Sequence, residues 1–425
     1  MPVAGSTLSL LSSPDLMVSS MPNSPLSQAP KISLPLVVTL AATMMLGPFS
    51  LDTYLPAFPA IADDLGVSSQ AVAVSVSVYV FALAVGQLIG GPLSDKWGRK
   101  QVLMAGLVIF ALASALLATL HTLPHFLIGR ALQAVGAGWV LVSVPALVRD
   151  RISGQEAAKL FSFLGLILVV APGIAPSIGS LLLKVGHWSG IFVFMAIYAV
   201  LMIPLLIKIV FSEPRLPRST EKSQSSFIRR YIAVFNNRTA LAYIAWQVGA
   251  FSVMMVFITH GSFIYQDHFD QSADAFALMF AANIVAMFCC NLINRALLAR
   301  CFSSLRILQL ATMLQGIGLV ALTLAAVLQW PVWLFLPAMM VTIGAHGALS
   351  PNIQACYMEH FGQNSGTAAA LLGACQFGGA GVLSALSGLL PHTLLAVVLA
   401  MVACGLLAQG FMWHSVWRGK HIEYQ

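Results

Sequence analysis

SGIFVFMAIYAVLMIPLLIKIVF, residues 189–211, contains one charged residue, Lys208. A helix rises about 1.5 Å per residue, so about 20 mostly apolar residues cross the hydrocarbon core of a bilayer. This stretch meets that length. The next residues reverse its character: 212–239 are polar and carry Arg215, Arg218, Lys222, Arg229, Arg230 and Arg238. Outward from this pair, five similar apolar segments lie upstream, at 34–58, 71–93, 101–120, 124–148 and 158–183. Six lie downstream, at 240–265, 274–297, 305–328, 331–356, 364–389 and 392–413. The basic stretch divides six predicted spans from six.

Composition agrees. Of 425 residues, 59% are hydrophobic and 8% charged, where soluble domains carry roughly 25% charged residues. Mean hydropathy is +0.88, and a water-soluble chain of this size could not hide so much apolar surface. Six cysteines lie in or beside the apolar segments of the second half without CxxC or Cys/His ligand spacing, so neither disulfides nor a metal site is expected. Residues 1–30 are Ser- and Pro-rich, lack the basic start of a signal peptide, and read as a disordered cytoplasmic tail in which Met17 and Met21 are alternative starts.

The charges orient the chain. With the amino terminus in the cytoplasm, 19 of the 21 basic residues fall in cytoplasmic segments; Lys184 lies outside and Arg130 within a span. The opposite loops are acidic, with Asp63, Asp64, Asp267, Asp270 and Asp274. The net charge of +7 is thus topological and forms no nucleic-acid patch. The expected organisation is an all-α membrane protein with twelve transmembrane helices: a six-helix bundle at 31–211, a cytoplasmic linker at 212–239, a second bundle at 240–413, and a cytoplasmic tail at 414–425.

Ionisable residues inside a span cost several kcal/mol and usually mark function. Asp52 lies about 18 residues up span one, roughly 27 Å from its start, and Arg130 about seven residues into span four, roughly 10 Å from the other side. Their depths match, so the two are expected to pair or to share a wet crevice, with Asp52 as a protonatable switch. The alternative is a fixed ion pair, or an acid that merely reaches outer water. Neutral polar residues in the spans, among them Tyr54, Tyr79, Gln133, Gln247, Asn283 and Gln376, suggest the lining of a central cavity. Each singly is as well explained by interhelical hydrogen bonding.

GPLSDKWGRK, residues 91–100, joins spans two and three. Its Gly91 and Gly98 permit a tight turn, Asp95 can face a helix amino terminus, and Arg99 can pair with Asp150. This decapeptide resembles the signature loop of the major facilitator superfamily. LIGRALQAVG (127–136) is similar to the family's span-four motif, and APGIAPSIGS (171–180), with Ala175, Pro176 and Gly179, to its span-five antiporter motif. LDTYLPAFP (51–59) resembles the first-span signature of the Bcr/CflA drug:proton antiporters. The resemblance covers 34 to about 410. It implies two pseudo-symmetric six-helix halves with alternating access, proton coupling through Asp52 and Arg130, and a cytoplasmic latch of Gly91, Asp95, Gly98, Arg99 and Asp150, with Asp95 docking near Ser365 and Gly366. Ala175 and Ser180 replace preferred glycines, which weakens the expected helix approach, and Asn291–Arg306 lacks the loop pattern in the second half.

The expectation is a proton-coupled exporter of small amphipathic compounds in a bacterial inner membrane. Both termini would be cytoplasmic, and the protein would be a monomer with lipid, protons and substrate as partners and no cofactor. The alternatives are a specific metabolite or siderophore exporter or an uptake transporter on the same fold. An integral-membrane enzyme is a distant alternative, because clustered ligands or a nucleophile with its base are missing from the spans.

Overall fold

The computed structural model describes residues 34–151, 154–212, 238–300, 302–358, 360 and 365–422. The expected disordered tail at 1–30 and most of the linker at 212–239 lie outside the described residues. Among the described residues there is no strand, and ten helical stretches are long and apolar enough to cross a membrane. Two further apolar stretches, Ala171–Val185 and Leu371–Ser387, belong to longer helices.

In chain order the helices are α1 (Leu34–Asp52), α2 (Phe58–Leu65), α3 (Ser69–Trp97), α4 (Arg99–Leu117), α5 (Leu123–Arg151), α6 (Gly154–Val185) and α7 (Ser189–Leu205). The second half has α8 (Arg238–Ser262), α9 (Ala273–Ala299), α10 (Ser304–Val327), α11 (Val332–Gly344), α12 (His346–Met358), α13 (Ser365–Ser387) and α14 (Leu394–Ile422). Two pairs, α1 with α2 and α11 with α12, each make one interrupted crossing. The predicted spans are all present. α14 runs on to Ile422, into the segment expected as the tail at 414–425.

Local chemistry sets the breaks. Pro56 has no N–H to give Asp52, so α1 ends at Asp52 and passes through the short turn Leu55–Ala57 into α2. Pro351 likewise leaves the Gly347 carbonyl without its helical donor, and the Asn291 amide of α9 donates to it at 3.0 Å. The segment 91–100 is not a loop over most of its length. α3 runs through Trp97, and only Gly98, at φ 104° and ψ 148°, separates it from α4; that conformation is nearly exclusive to glycine.

Helix alternation places Lys96, Arg99, Lys100, Arg295, Arg300 and Arg306 at one end, called the basic end, and Asp63, Asp64, Asp267, Asp270 and Asp274 at the other, the acidic end. The halves meet along α3 with α13 and α6 with α9. Their polar ties in the described residues gather toward the acidic end. Gln70 donates to the Gly388 and Leu390 carbonyls (2.8 and 3.1 Å), the Ser77 and Ser384 hydroxyls lie 2.9 Å apart, and Lys184 pairs with Asp274 at 2.5 Å. Ser180 also donates to Asp274.

Candidate functional site

Arg130, on α5, is fully buried. Its guanidinium lies between two ring faces, 4.2 Å from the Tyr54 centroid and 4.3 Å from that of Tyr79, with Phe192 at 6.0 Å. One amino group donates to the Ser50 carbonyl (3.1 Å) and to Gln133 Oε1 (2.5 Å). Ser50 sits in the last turn of α1, where carbonyls have no helical donor and the helix dipole favours a cation. The arginine therefore caps α1. Such contacts offset the cost of burying a cation in an apolar bundle.

The rings are themselves anchored. The Tyr54 hydroxyl bonds Ser75 (2.7 Å), and the Tyr79 hydroxyl bonds Ser50 (2.5 Å) and donates to the Gly47 carbonyl (3.1 Å). Gln133 donates to Ser114 Oγ at 2.8 Å. Tyr54, Tyr79 and Gln133, expected to line a substrate cavity, are completely enclosed and committed to Arg130 and its supports. Charge at a span position pointed to Arg130, but Ser50, Ser114 and Phe192 gave no such signal, since small hydroxyls and phenylalanine occur throughout the chain.

Asp52 ends α1 and is buried to 1% exposure. Arg130 donates to the Ser50 carbonyl two residues earlier, yet of the two expected outcomes, pairing or a shared crevice, an ion pair does not form. Asp52 Oδ1 has no hydrogen-bond partner, nor do Arg130 Nε and Nη2. The reason is geometric: the two tyrosine faces and the Ser50 carbonyl fix the guanidinium, and the chain turns away after Asp52 at the Pro56 break. Beside it, α6 comes so near that a Cβ on Gly179 would overlap the Thr53 carbonyl. The close approach expected to weaken with Ala175 and Ser180 is thus retained at Gly179, while Ser180 gains Asp274 as a partner in the other half. Pro176 and Ala175 are buried in the same helix.

The remaining predicted residues fall in the second half. Gln247 Nε2 donates to Gln376 Oε1 (2.9 Å) and approaches Ser350 Oγ (3.3 Å), joining α8, α13 and α12. Phe251 packs on His346 and Phe377, with centroids 5.5 and 5.3 Å away. Asn283 is buried on α9 and donates to its own helix at Met279 (2.8 Å). In the first half the predicted polar residues form one charged cluster; in the second, Gln247 and Gln376 form a neutral amide pair and Asn283 bonds its own helix.

At the basic end, Arg99 Nε donates to Asp150 Oδ2 at 2.9 Å, Arg99 Nη1 to Ser94 Oγ at 3.0 Å, and Arg99 also pairs with Asp95. Asp95, Arg99 and Asp150 thus tie α3, α4 and α5 together, with Gly98 making the turn. Nothing lies within 4 Å of a Cβ built on Gly91. The side chains of Ser365 and Gly366, expected to receive Asp95, lie outside the described residues.

Comparison with known proteins adds relatives. The chain is 27% identical over 369 residues to the bicyclomycin resistance protein homolog of Haemophilus influenzae, covering 87% of this chain and 92% of that protein. It is 28% identical over 370 residues to multidrug resistance protein D of Escherichia coli, covering 84% and 89%. Among solved structures, a D-xylose-proton symporter superposes with a TM-score of 0.74 at 16% identity, covering 89% of this chain and 97% of that one. A nucleoside transporter gives 0.71 at 14%, covering 89% and 99%. Residues 40–385 match the sequence profile of the Major Facilitator Superfamily, and with the two-half helical fold this assigns the protein: the chain belongs to the major facilitator superfamily.

Proposed function

We propose that the protein exports small amphipathic organic compounds across a bacterial cytoplasmic membrane in exchange for protons, as a monomer with both termini in the cytoplasm and no cofactor. The names of its full-length relatives, resistance to bicyclomycin and to multiple drugs, support efflux. The observation that carries proton coupling is Asp52: a carboxyl enclosed in the bundle within the field of Arg130 but free of an ion pair. Gain or loss of one proton there changes the charge of a buried position by a full unit. A proton entering through such a site supplies about 1.4 kcal/mol per pH unit and about 2.3 kcal/mol per 100 mV.

The rest of the cycle follows from the two ends. The basic end is taken as cytoplasmic, where positive charge is retained. The ties at Asp274, Gln70 and Ser77 support a state closed on the acidic side, through which substrate enters from the cytoplasm. The Arg99 network strengthens when that end closes in turn.

The test is reconstitution in proteoliposomes with an imposed pH gradient. Asp52→Asn should abolish gradient-driven transport while helical content and melting temperature stay near wild type. Gradient-driven transport surviving in that variant would refute the assignment. A second reading, export of one uncharged metabolite, draws on the neutral Gln247–Gln376–Ser350 cluster, which offers hydrogen bonds and no counter-charge for a cation. A drug-susceptibility panel beside metabolite accumulation in a deletion strain separates the two: broad resistance supports the first, a single retained metabolite the second.

A further inference from the structure

We infer that Tyr54 and Tyr79 are positioning residues for proton coupling: they clamp Arg130 by its faces and so withhold it from Asp52. This rests on the proton-coupled reading above. Three observations carry it. The guanidinium lies 4.2 and 4.3 Å from the two ring centroids, each ring anchored through its hydroxyl. Its only described acceptors are the neutral Ser50 carbonyl and Gln133. The guanidinium is held on the Ser50 carbonyl, two residues before Asp52, and Asp52 Oδ1 still has no donor.

The physical argument is a competition for one cation. Two desolvated cation–π contacts, together with the α1 carbonyl cap, compete with what Arg130 would gain at Asp52. If the pair closed, the carboxylate would stay ionised, and a proton would have to break a buried ion pair to bind. The clamp keeps the positive charge near without letting it neutralise the site. It assigns the two tyrosines to the coupling machinery rather than to substrate contact, and explains why both phenols are enclosed.

Among the described residues, the titratable and charged groups around Asp52 come from these elements. From α5 comes Arg130, from α3 Tyr79, and from its own segment Tyr54. From α7, Tyr198 donates to the Ala42 carbonyl of α1 at 2.7 Å. α6 presents Gly179, and its Lys184 is occupied by Asp274 of α9. Arg130 is therefore the cation whose release would reach the carboxylate.

The experiment measures Asp52 protonation directly and transport beside it. The infrared band of the protonated carboxyl, assigned by its loss in Asp52→Asn, is titrated in wild type, Tyr79→Leu, Tyr54→Leu and the matching Phe variants. The Leu variants should move the band's midpoint, and the pH at half-maximal transport, to lower pH by about one unit or more, the size of shift an opposite charge at short range produces. The Phe variants, which keep the ring but lose its hydroxyl anchor, should shift both midpoints less than the matching Leu variants. Should the Leu variants fail to fold, a fluorinated phenylalanine series at position 79 keeps the ring volume while draining its face, and the midpoints should fall stepwise with fluorination. The clamp is overturned if the midpoints stay fixed across these variants while substrate KM rises, which would make the tyrosines substrate contacts. If instead Asp52→Asn still couples transport to the gradient, the proton-coupling reading itself fails.

Discussion

Arg130→Lys is the informative substitution at the residue scale. Lysine keeps the charge but loses the plane that lies between two rings. Gradient-driven transport should drop at least about tenfold, equivalent to about 1.4 kcal/mol of barrier, with the protein still folded. Vesicle transport assays paired with thermal melts check this, and a lysine variant as active as wild type would show that charge alone suffices. That a buried acid and a buried arginine existed was legible in the sequence, since each interrupts an apolar segment. Their failure to pair was not. Depth along a helix can be counted, but the azimuth of a side chain and its competition for rings on α3 and α7 depend on how helices pack.

Single glycines carry strain at the element scale. Gly98 turns α3 into α4 at φ 104°, so Gly98→Ala should destabilise by about 1–3 kcal/mol, read as a lowered melting temperature in detergent. Gly179→Val should act differently. Its side chain would collide with the Thr53 carbonyl, one residue past Asp52, and drive α6 from α1. Overpacking of this kind costs about 1–3 kcal/mol, and transport should suffer beyond the stability loss because the coupling carboxyl moves; a variant with wild-type transport after correction for folded protein would contradict this. Span positions were readable because lipid demands long apolar runs; the break at Pro56 was not, and the expected first span ran through it to residue 58. The helical state of 91–97 was not readable, because Gly91, Pro92 and Asp95 look like turn residues and only helix continuation from the apolar run overrides them.

For the whole molecule the seam at the acidic end decides which side is open. Lys184 and Ser180 of the first half both engage Asp274 of the second. Reversing one charge, Lys184→Asp, should populate a state open on that side, measured as a longer distance between spin labels placed on α6 and α9 near this end. Lys184→Asp with Asp274→Lys together should restore the short distance, since the attraction is regained. Equal distances in single and double variants would mean the pair is incidental. Composition could not reveal this tie: the two residues lie far apart in the chain, and each by itself reads as an ordinary loop charge.

By itself the sequence determined the apolar crossings, the segregation of basic and acidic residues among the segments between them, and the presence of two ionisable residues in apolar helices. These follow from one-dimensional costs, the transfer of each residue from water to hydrocarbon and the retention of positive charge on one side. Tertiary structure alone decided which partners those residues chose. The tyrosines pack on the faces of Arg130, Asp52 stays unpaired beside it, and the two halves meet through Asp274. Such choices are competitions among groups brought together from different helices, and their outcome depends on distances that exist only once the bundle is packed.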